Sequence, residues 1–481
     1  MNWDVMIPLI IFVVLVFAIG FWSSRKVYAK SNFMQEYFLG SRELGGLILA
    51  MTMIATYGSA SSFVGGPGAA YTEGLGWVLL SMAQVATGYF ILMILGKKFA
   101  IMARRYNAVT IVDYMKGRYD NSKPVVILSA LSIIIFLFAA MTAQWVGGAR
   151  LIEAITGLPY TSALFLFAVA VLCYVIIGGF RAIAITDAVQ GFVMFFGTLI
   201  LLVGTIIAGG GLPNIMNDLA QENELLLTPF GHDGSLTALY VSSFWILVGV
   251  GVVGLPQVAV RAMSYKDSRS MHRALIIGTI VVAFMMFGMH FAGVLARPIL
   301  PGIEEPDTVM PTLAMTVLPA WLAGIVLAAP MAAIMSTVDA LLLMVSSSVV
   351  KDIYYNYVNP DATEKRIKQM SLGVTTVIGI LVVLFALSPP DLLIWLNLFA
   401  FGGLESAFVW PLVLGLYWSR GNKYGALASI ILGVGSYVAI SIFMPEPFGM
   451  HSVVLPVALS LVGYVVASLC TPAPALQQAR S

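Results

Sequence analysis

The sequence predicts an all-α polytopic membrane protein with about thirteen transmembrane helices. Three observations carry that expectation. Apolar residues fill 60% of the 481 positions and charged residues only 10%, against roughly 25% charged in soluble domains. The apolar residues are gathered into runs of about 20, the length that crosses the hydrocarbon as a helix. The basic residues are sorted into alternate connections between those runs. A mean hydropathy of +0.94 leaves too little polar surface to cover a globule in water. A soluble enzyme, a nucleic-acid binder and a disordered chain are excluded on this ground.

The apolar runs lie at 4–22, 44–71, 75–96, 125–150, 159–178, 183–208, 239–263, 274–298, 312–350, 369–388, 391–418, 424–444 and 450–470. The first follows Asp4 and precedes Arg25, Lys26 and Lys30. A secretory signal has the opposite polarity, so this run reads as a retained helix with its N-terminus outside. Placing the N-terminus outside puts 23 of the 25 basic residues in inside connections, from Arg25, Lys26, Lys30 and Arg42 through Lys97, Lys98, Arg104, Arg105, Arg181 and Arg261 to Arg480. Only Arg150 and Arg297 fall outside, which satisfies the positive-inside rule and puts the C-terminus inside. Two outside loops are acidic, one with Asp218, Glu222, Glu224 and Asp233, the other with Glu304, Glu305 and Asp307. Cys173 and Cys470 both sit in apolar runs, so neither a disulfide framework nor a cysteine metal site is expected.

Helix-breaking residues cluster in two runs. The second contains Gly58, Gly65, Gly66, Pro67 and Gly68; the seventh contains Gly249, Gly251, Gly254 and Pro256. Broken helices five runs apart are the sign of two five-helix repeats, and an odd repeat length inverts the second against the first. Gly and Pro are also common in ordinary membrane helices. The expected organisation is one membrane transport domain. It comprises an extra helix and inside loop (1–41), a first repeat (44–208), a second repeat (239–418), and two further helices with a short tail (419–481).

Unwound backbone at mid-membrane is tolerated only where it lines a polar site. Its carbonyls can hold a small cation, and half-helix N-termini can hold an anionic group. Ala333, Ser336 and Thr337 in the ninth run share one helical face, and two hydroxyls with a carbonyl form the oxygen set that hard cations prefer. Ser and Thr in membrane helices also bond to their own backbone or to a neighbour. Acids within the apolar runs are expensive and point to function or to a buried partner. They are Asp187, Asp339 and Glu405, with a solvated interfacial role open for Asp187 and Glu405 a further candidate for substrate contact. Neutral candidates for substrate contact are Tyr57, Ser59, Ser61, Ser62, Gln84, Gln144 and Asn397. No Gly-rich phosphate loop and no HExxH occur, and the four His are scattered, so neither ATP-driven transport nor enzymatic catalysis is expected.

The chain resembles the sodium:solute symporter family along essentially its whole length. The resemblance rests on Ala55-Thr-Tyr-Gly-Ser-Ala-Ser-Ser-Phe-Val-Gly-Gly-Pro-Gly68, Val146-Gly-Gly-Ala-Arg-Leu151, Gly178-Gly-Phe-Arg181 with Asp187, Ala332-Ala-Ile-Met-Ser-Thr337, and Arg420 with Gly425-Ala426. The branch it resembles most is the bacterial one that imports pantothenate. That rests on Leu95-Gly-Lys-Lys-Phe-Ala-Ile101, Ala103-Arg-Arg-Tyr-Asn-Ala-Val109, Leu327-Ala-Ala-Pro-Met-Ala-Ala333, Ile394-Trp-Leu-Asn397 and Ala400-Phe-Gly-Gly-Leu-Glu405.

The resemblance implies a LeuT-like inverted five-plus-five core with one helix before it and two after. It also implies sodium-coupled symport in a bacterial cytoplasmic (inner) membrane. Its sodium site maps onto the carbonyls of Ala55, Gly58 and Ala333 and the hydroxyls of Ser336 and Thr337, with Asp187 on the sodium path. Sugar-transporting relatives carry Tyr-Trp-Gly where this chain has Val252-Val253-Gly254, and proline transporters an Asp where it has Tyr57. The expected cargo is sodium with a small carboxylate, pantothenate. Another monocarboxylate or an amino acid such as proline is the alternative within transporters, and a channel the alternative outside them.

Overall fold

The computed structural model describes residues 3–27, 44–178, 180–389 and 392–474. Lys30, Arg42, Gly179 and Arg480, and most of the expected first inside loop, lie outside the described residues. The described residues are helical throughout except for connections and one isolated bridge between Leu44 and Tyr265. Nine helices among them are long and apolar enough to cross a membrane, or eleven if each of two bent pairs counts as one span. Two shorter apolar helices, Tyr160–Cys173 and Val454–Cys470, coincide with the remaining two expected runs.

The chain begins with α1 (Trp3–Val27). The first broken helix follows as α2 (Gly46–Tyr57) and α3 (Ser61–Glu73), bent by 70°. The rest of the first half is α4 (Leu75–Arg105), the short α5 (Ile111–Arg118), α6 (Lys123–Thr156), α7 (Tyr160–Gly178) and α8 (Phe180–Ala208). After α9 (Leu212–Glu222), the second broken helix is α10 (Ala238–Gly254) and α11 (Pro256–Met263), bent by 53°. Then come α12 (Ser268–Ile299), α13 (Val309–Val317), α14 (Ala320–Val358), α15 (Glu364–Ala386), α16 (Leu393–Tyr417), α17 (Lys423–Phe443) and α18 (Val454–Cys470).

Each bend has a local cause. Gly58 takes an extended conformation (φ −63°, ψ 128°), its N–H closing the last turn of α2 on the carbonyl of Ile54. Gly65, Gly66 and Pro67 lie just beyond the bend, inside α3, where a wide π turn over Ser61–Gly65 precedes Pro67. Proline has no N–H to give and fits the first turn of the segment that follows. In the second broken helix Leu255 is extended (φ −82°, ψ 110°). Pro256 forbids the helical region to the residue before it.

The two broken helices occupy the centre. α2 packs against α8, α12 and α14, and α10 packs against α16. α14 is the most enclosed span, 94% of its apolar window being buried against 22% for α1. The expected ninth run, 312–350, is divided: Leu318 and Pro319 end α13, and the span itself begins at Ala320. Backbone bonds from Leu44 N to Ser264 O and from Lys266 N to Leu44 O, each 3.2 Å, tie the start of α2 to the end of α11. This end of the bundle also carries Arg104, Lys116 and Arg118, bonded to Tyr265, Asn356 and Gly415. At the opposite end the two outlying cations meet acids of the acidic loops: Arg297 pairs with Glu222 at 2.7 Å and Arg150 with Glu305 at 2.9 Å.

Candidate functional site

The face of α14 bearing Ala333, Ser336 and Thr337 lies directly against the end of α2. The Ser336 hydroxyl donates within bonding range of the Ala55 carbonyl at 2.7 Å and of its own Ala333 carbonyl at 3.1 Å. The Thr337 hydroxyl stands 2.8 Å from the Gly58 carbonyl and 2.9 Å from that of Ala333. Five oxygens, three carbonyl and two hydroxyl, thus converge from two helices. They are available because α2 stops there: the last carbonyls of a helix have no partner within it. All five donors are neutral. Hydroxyls that donate to carbonyls can turn their lone pairs to a cation instead, and a neutral oxygen set suits a hard monovalent ion.

Beside this cluster lies a buried ion pair. Arg261 on α11 donates to Asp187 on α8 at 3.1 Å and to the Thr56 hydroxyl at 2.8 Å. Thr56 in turn donates to the Thr52 carbonyl. Asp187 and Arg261 are 0% and 1% exposed, so Asp187 is not a solvated interfacial acid. Arg261, expected in an inside loop, is held in the core of the bundle. Asp339 is fully buried and lies within electrostatic reach of Arg261. One guanidinium therefore faces two carboxyl groups, and through Thr56 it is anchored to the turn that supplies the Ala55 carbonyl. A small cavity lined by Thr110, Gln257, Arg261 and Ser347 adjoins the pair.

The neutral candidates divide. Ser59, Ser61 and Ser62 are buried at the bend. Gln144 on α6 is spent locally: its carbonyl oxygen accepts from Ala60 N–H at 2.8 Å, an amide the bend leaves orphaned. Tyr57 is buried at the end of α2, near Thr87 of α4, whose hydroxyl donates to the Val248 carbonyl in α10 at 3.0 Å. Asn397 is buried on α16, whose first turn packs on Gly65 of α3, and Gln84 on α4 is half-buried. Glu405 lies at the contact of α16 with α10, not at the oxygen cluster. His290 packs against Gly66, with Nδ1 2.6 Å from the Met286 carbonyl, a structural placement.

Asp307, expected in an acidic outside loop, is a further buried acid. It is 1% exposed, and its carboxyl accepts from Leu393 N–H at 3.0 Å, capping the start of α16. Burial pushes the Asp307 carboxyl up to about 7, against the opposing pull of the Leu393 N–H and of Arg150. Sequence reasoning passed over Thr56, Thr87 and Arg261. The one available signal was Arg261 itself, five residues after the helix-breaking Pro256.

The model of the sodium:solute symporter family matches residues 37–433. The chain is 50% identical over 468 residues to the sodium/pantothenate symporter of Haemophilus influenzae and, over the same length, to that of Escherichia coli, covering 97% of this chain and 96% of each relative. It is 28% identical over 482 residues to the osmoregulated proline transporter OpuE of Bacillus subtilis, covering 99% of this chain and 96% of the relative. In fold it is similar to a Na+-coupled sialic acid symporter solved in a substrate-bound outward-open state, with a TM-score of 0.77 at 20% identity, covering 97% of this chain and 98% of the other. With an all-helical fold, two bent helices at its centre and this breadth of match, the chain belongs to the sodium:solute symporter family.

Proposed function

We propose that this chain is a sodium-coupled symporter that imports pantothenate by alternating access. The observation that carries the reading is the convergence of Ser336 and Thr337 on the Ala55, Gly58 and Ala333 carbonyls, in a chain 50% identical to two sodium/pantothenate symporters. Sodium is held by these five oxygens. Because they come from α2 and α14, occupancy ties the two helices together and biases the state that binds the vitamin. Coupling is then a difference in affinity between two states. Asp187 and Arg261 bound the path along which sodium leaves. The inward gradient drives the cycle, the electrical part supplying about 2.3 kcal/mol per charge per 100 mV.

The substrate lies beside the bend, against Ser59, Ser61 and Ser62, with Tyr57, Gln84 and Asn397 around it. Its carboxylate is favoured near the start of α3, where the helix dipole is electropositive. The two repeats run over 44–208 and 239–418. The protein sits in a bacterial cytoplasmic membrane with its N-terminus outside and its basic end inside. Labelled pantothenate uptake into proteoliposomes tests the reading. Accumulation is expected with an inward Na+ gradient and not with a matched K+ gradient; gradient-independent equilibration would make the chain a channel, and accumulation of proline alone would make it a proline carrier.

A further inference from the structure

Glu405 is fully buried in α16, and neither of its carboxyl oxygens has a hydrogen-bond partner among the described residues. The oxygen cluster described above does not include it. Its surroundings are close. A methyl group built on Gly251 would stand 2.6 Å from Glu405 Oε2, so the bare backbone of α10 closes over that oxygen. A methyl on Gly254 would stand 3.1 Å from the Glu405 Cα. The segment in contact is the tight turn Gly251–Gly254, immediately before the second bend. The titratable groups that face Glu405 are two phenols, Tyr57 at the end of α2 and Tyr437 of α17. No charged side chain acts on it among the described residues.

A bare carboxylate in such a place would lack water, hydrogen bonds and a counter-ion, and it would be among the costliest groups in the molecule. We infer that Glu405 is a proton site: it carries a proton whenever α10 and α16 are packed together, and it gives that proton to water when the transport cycle parts them. Rocking of the broken helices against the rest of the bundle is how such repeats alternate access. Once parted and hydrated, a glutamate ionises with an ordinary value near about 4.3. At neutral pH closure must then draw one proton from bulk water onto a Glu405 oxygen, and reopening returns it. Tyr57, which faces Glu405, adjoins Gly58 of the oxygen cluster, so the proton and the sodium act on the same bend.

The inference rests on the symport reading of the neighbouring site, and the experiment separates the two. Uptake is measured in proteoliposomes at equal inside and outside pH, from 6 to 9. The background is Asp307→Asn, which removes one further buried acid from the titration; the Glu405→Gln comparison separates Glu405 from Asp187, Asp339 and Asp352. In that background uptake is expected to fall with rising pH, approaching about tenfold per unit above the midpoint for a single group. Adding Glu405→Gln, which copies the neutral acid, is expected to flatten the profile and keep the acid-side rate. A second measurement does not depend on that variant folding. Purified Asp307→Asn protein in lightly buffered detergent at pH 8 is mixed with saturating Na+ and pantothenate before a pH indicator. Uptake of about one proton per chain is expected. Superimposable pH profiles with and without Glu405→Gln, or no proton uptake on binding, would overturn the inference. So would a changed Na+ requirement in Glu405→Gln with the pH profile intact, which would make the residue a sodium ligand. Absence of any Na+-dependent pantothenate uptake, by contrast, removes the symport reading itself.

Discussion

The Thr337 hydroxyl lies 2.8 Å from the carbonyl oxygen of Gly58, joining residues 279 positions apart in the chain. Gly58 can offer that carbonyl only because α2 ends there, and Thr337 can reach it only because α14 is packed along α2. The bend and the hydroxyl pair are one device, and each is without purpose alone. If the hydroxyl is a sodium ligand, Thr337→Ser keeps the oxygen and Thr337→Ala removes it. The alanine variant is expected to raise the Na+ concentration for half-maximal uptake by about tenfold or more, as for one hydrogen bond to a charged group. The serine variant is expected to stay near wild type. Equal Na+ requirements in wild type and Thr337→Ala would contradict the assignment.

Arg261 balances two carboxyl groups, so its loss and the loss of Asp187 are not equivalent. Asp187→Asn leaves Arg261 facing Asp339, whereas Arg261→Met leaves the buried Asp187 carboxyl without the guanidinium it is bonded to. Breaking a buried pair costs on the order of 3–5 kcal/mol, and the arginine variant is expected to be the worse of the two. Thermal unfolding in detergent reads the order; a larger loss in Asp187→Asn would reverse the account of this cluster.

Gln144 keeps the Ala60 amide satisfied where the first broken helix is interrupted. Gln144→Ala strands that N–H in a buried place, which costs roughly 1–3 kcal/mol. Gln144→Glu retains an acceptor and is expected to be milder. The difference between the two melting temperatures is the measurement.

Asp307 gives a pH dependence of known sign. Its carboxyl sits up at about 7 in the folded protein against an ordinary 3.8. The folded state holds the proton more tightly, so stability is greatest in acid, falls as pH rises between about 4 and about 7, and is level above that. Asp307→Asn is expected to remove that slope from a plot of melting temperature against pH. An unchanged slope would place the titration elsewhere.

How much of this was legible depends on where the information sits. Ala333 lies on one helical face with Ser336 and with Thr337 by i, i+3 and i+4 arithmetic, glycine and proline announce broken helices, and the family resemblance implies the Ala55 and Gly58 carbonyls. The exact bend was not legible. Gly65, Gly66 and Pro67 look like the stronger breakers, yet Gly65 ends a π turn, Gly66 and Pro67 open the α-helical turn after it, and the chain bends at Gly58. Arg261 was read as a loop cation because a charge count assigns every arginine near a span's end to water; only packing reveals that Asp187 and Thr56 hold it inside. Asp307 was misplaced for the same reason. Its loop is acidic and polar in sequence, but the start of α16 draws this one carboxyl under cover. Gln144 as a backbone partner, rather than a substrate contact, is a tertiary fact with no sequence signal.

The central claim is that sodium is held between the end of α2 and the middle of α14. Equilibrium binding of radioactive sodium to purified wild type and to the Ser336→Ala/Thr337→Ala double variant tests it without requiring transport. Saturable binding is expected in the wild type and its loss in the double variant, with the melting temperature of the Na+-free proteins little changed. Sodium binding of equal affinity in both proteins would place the ion somewhere else and contradict the account.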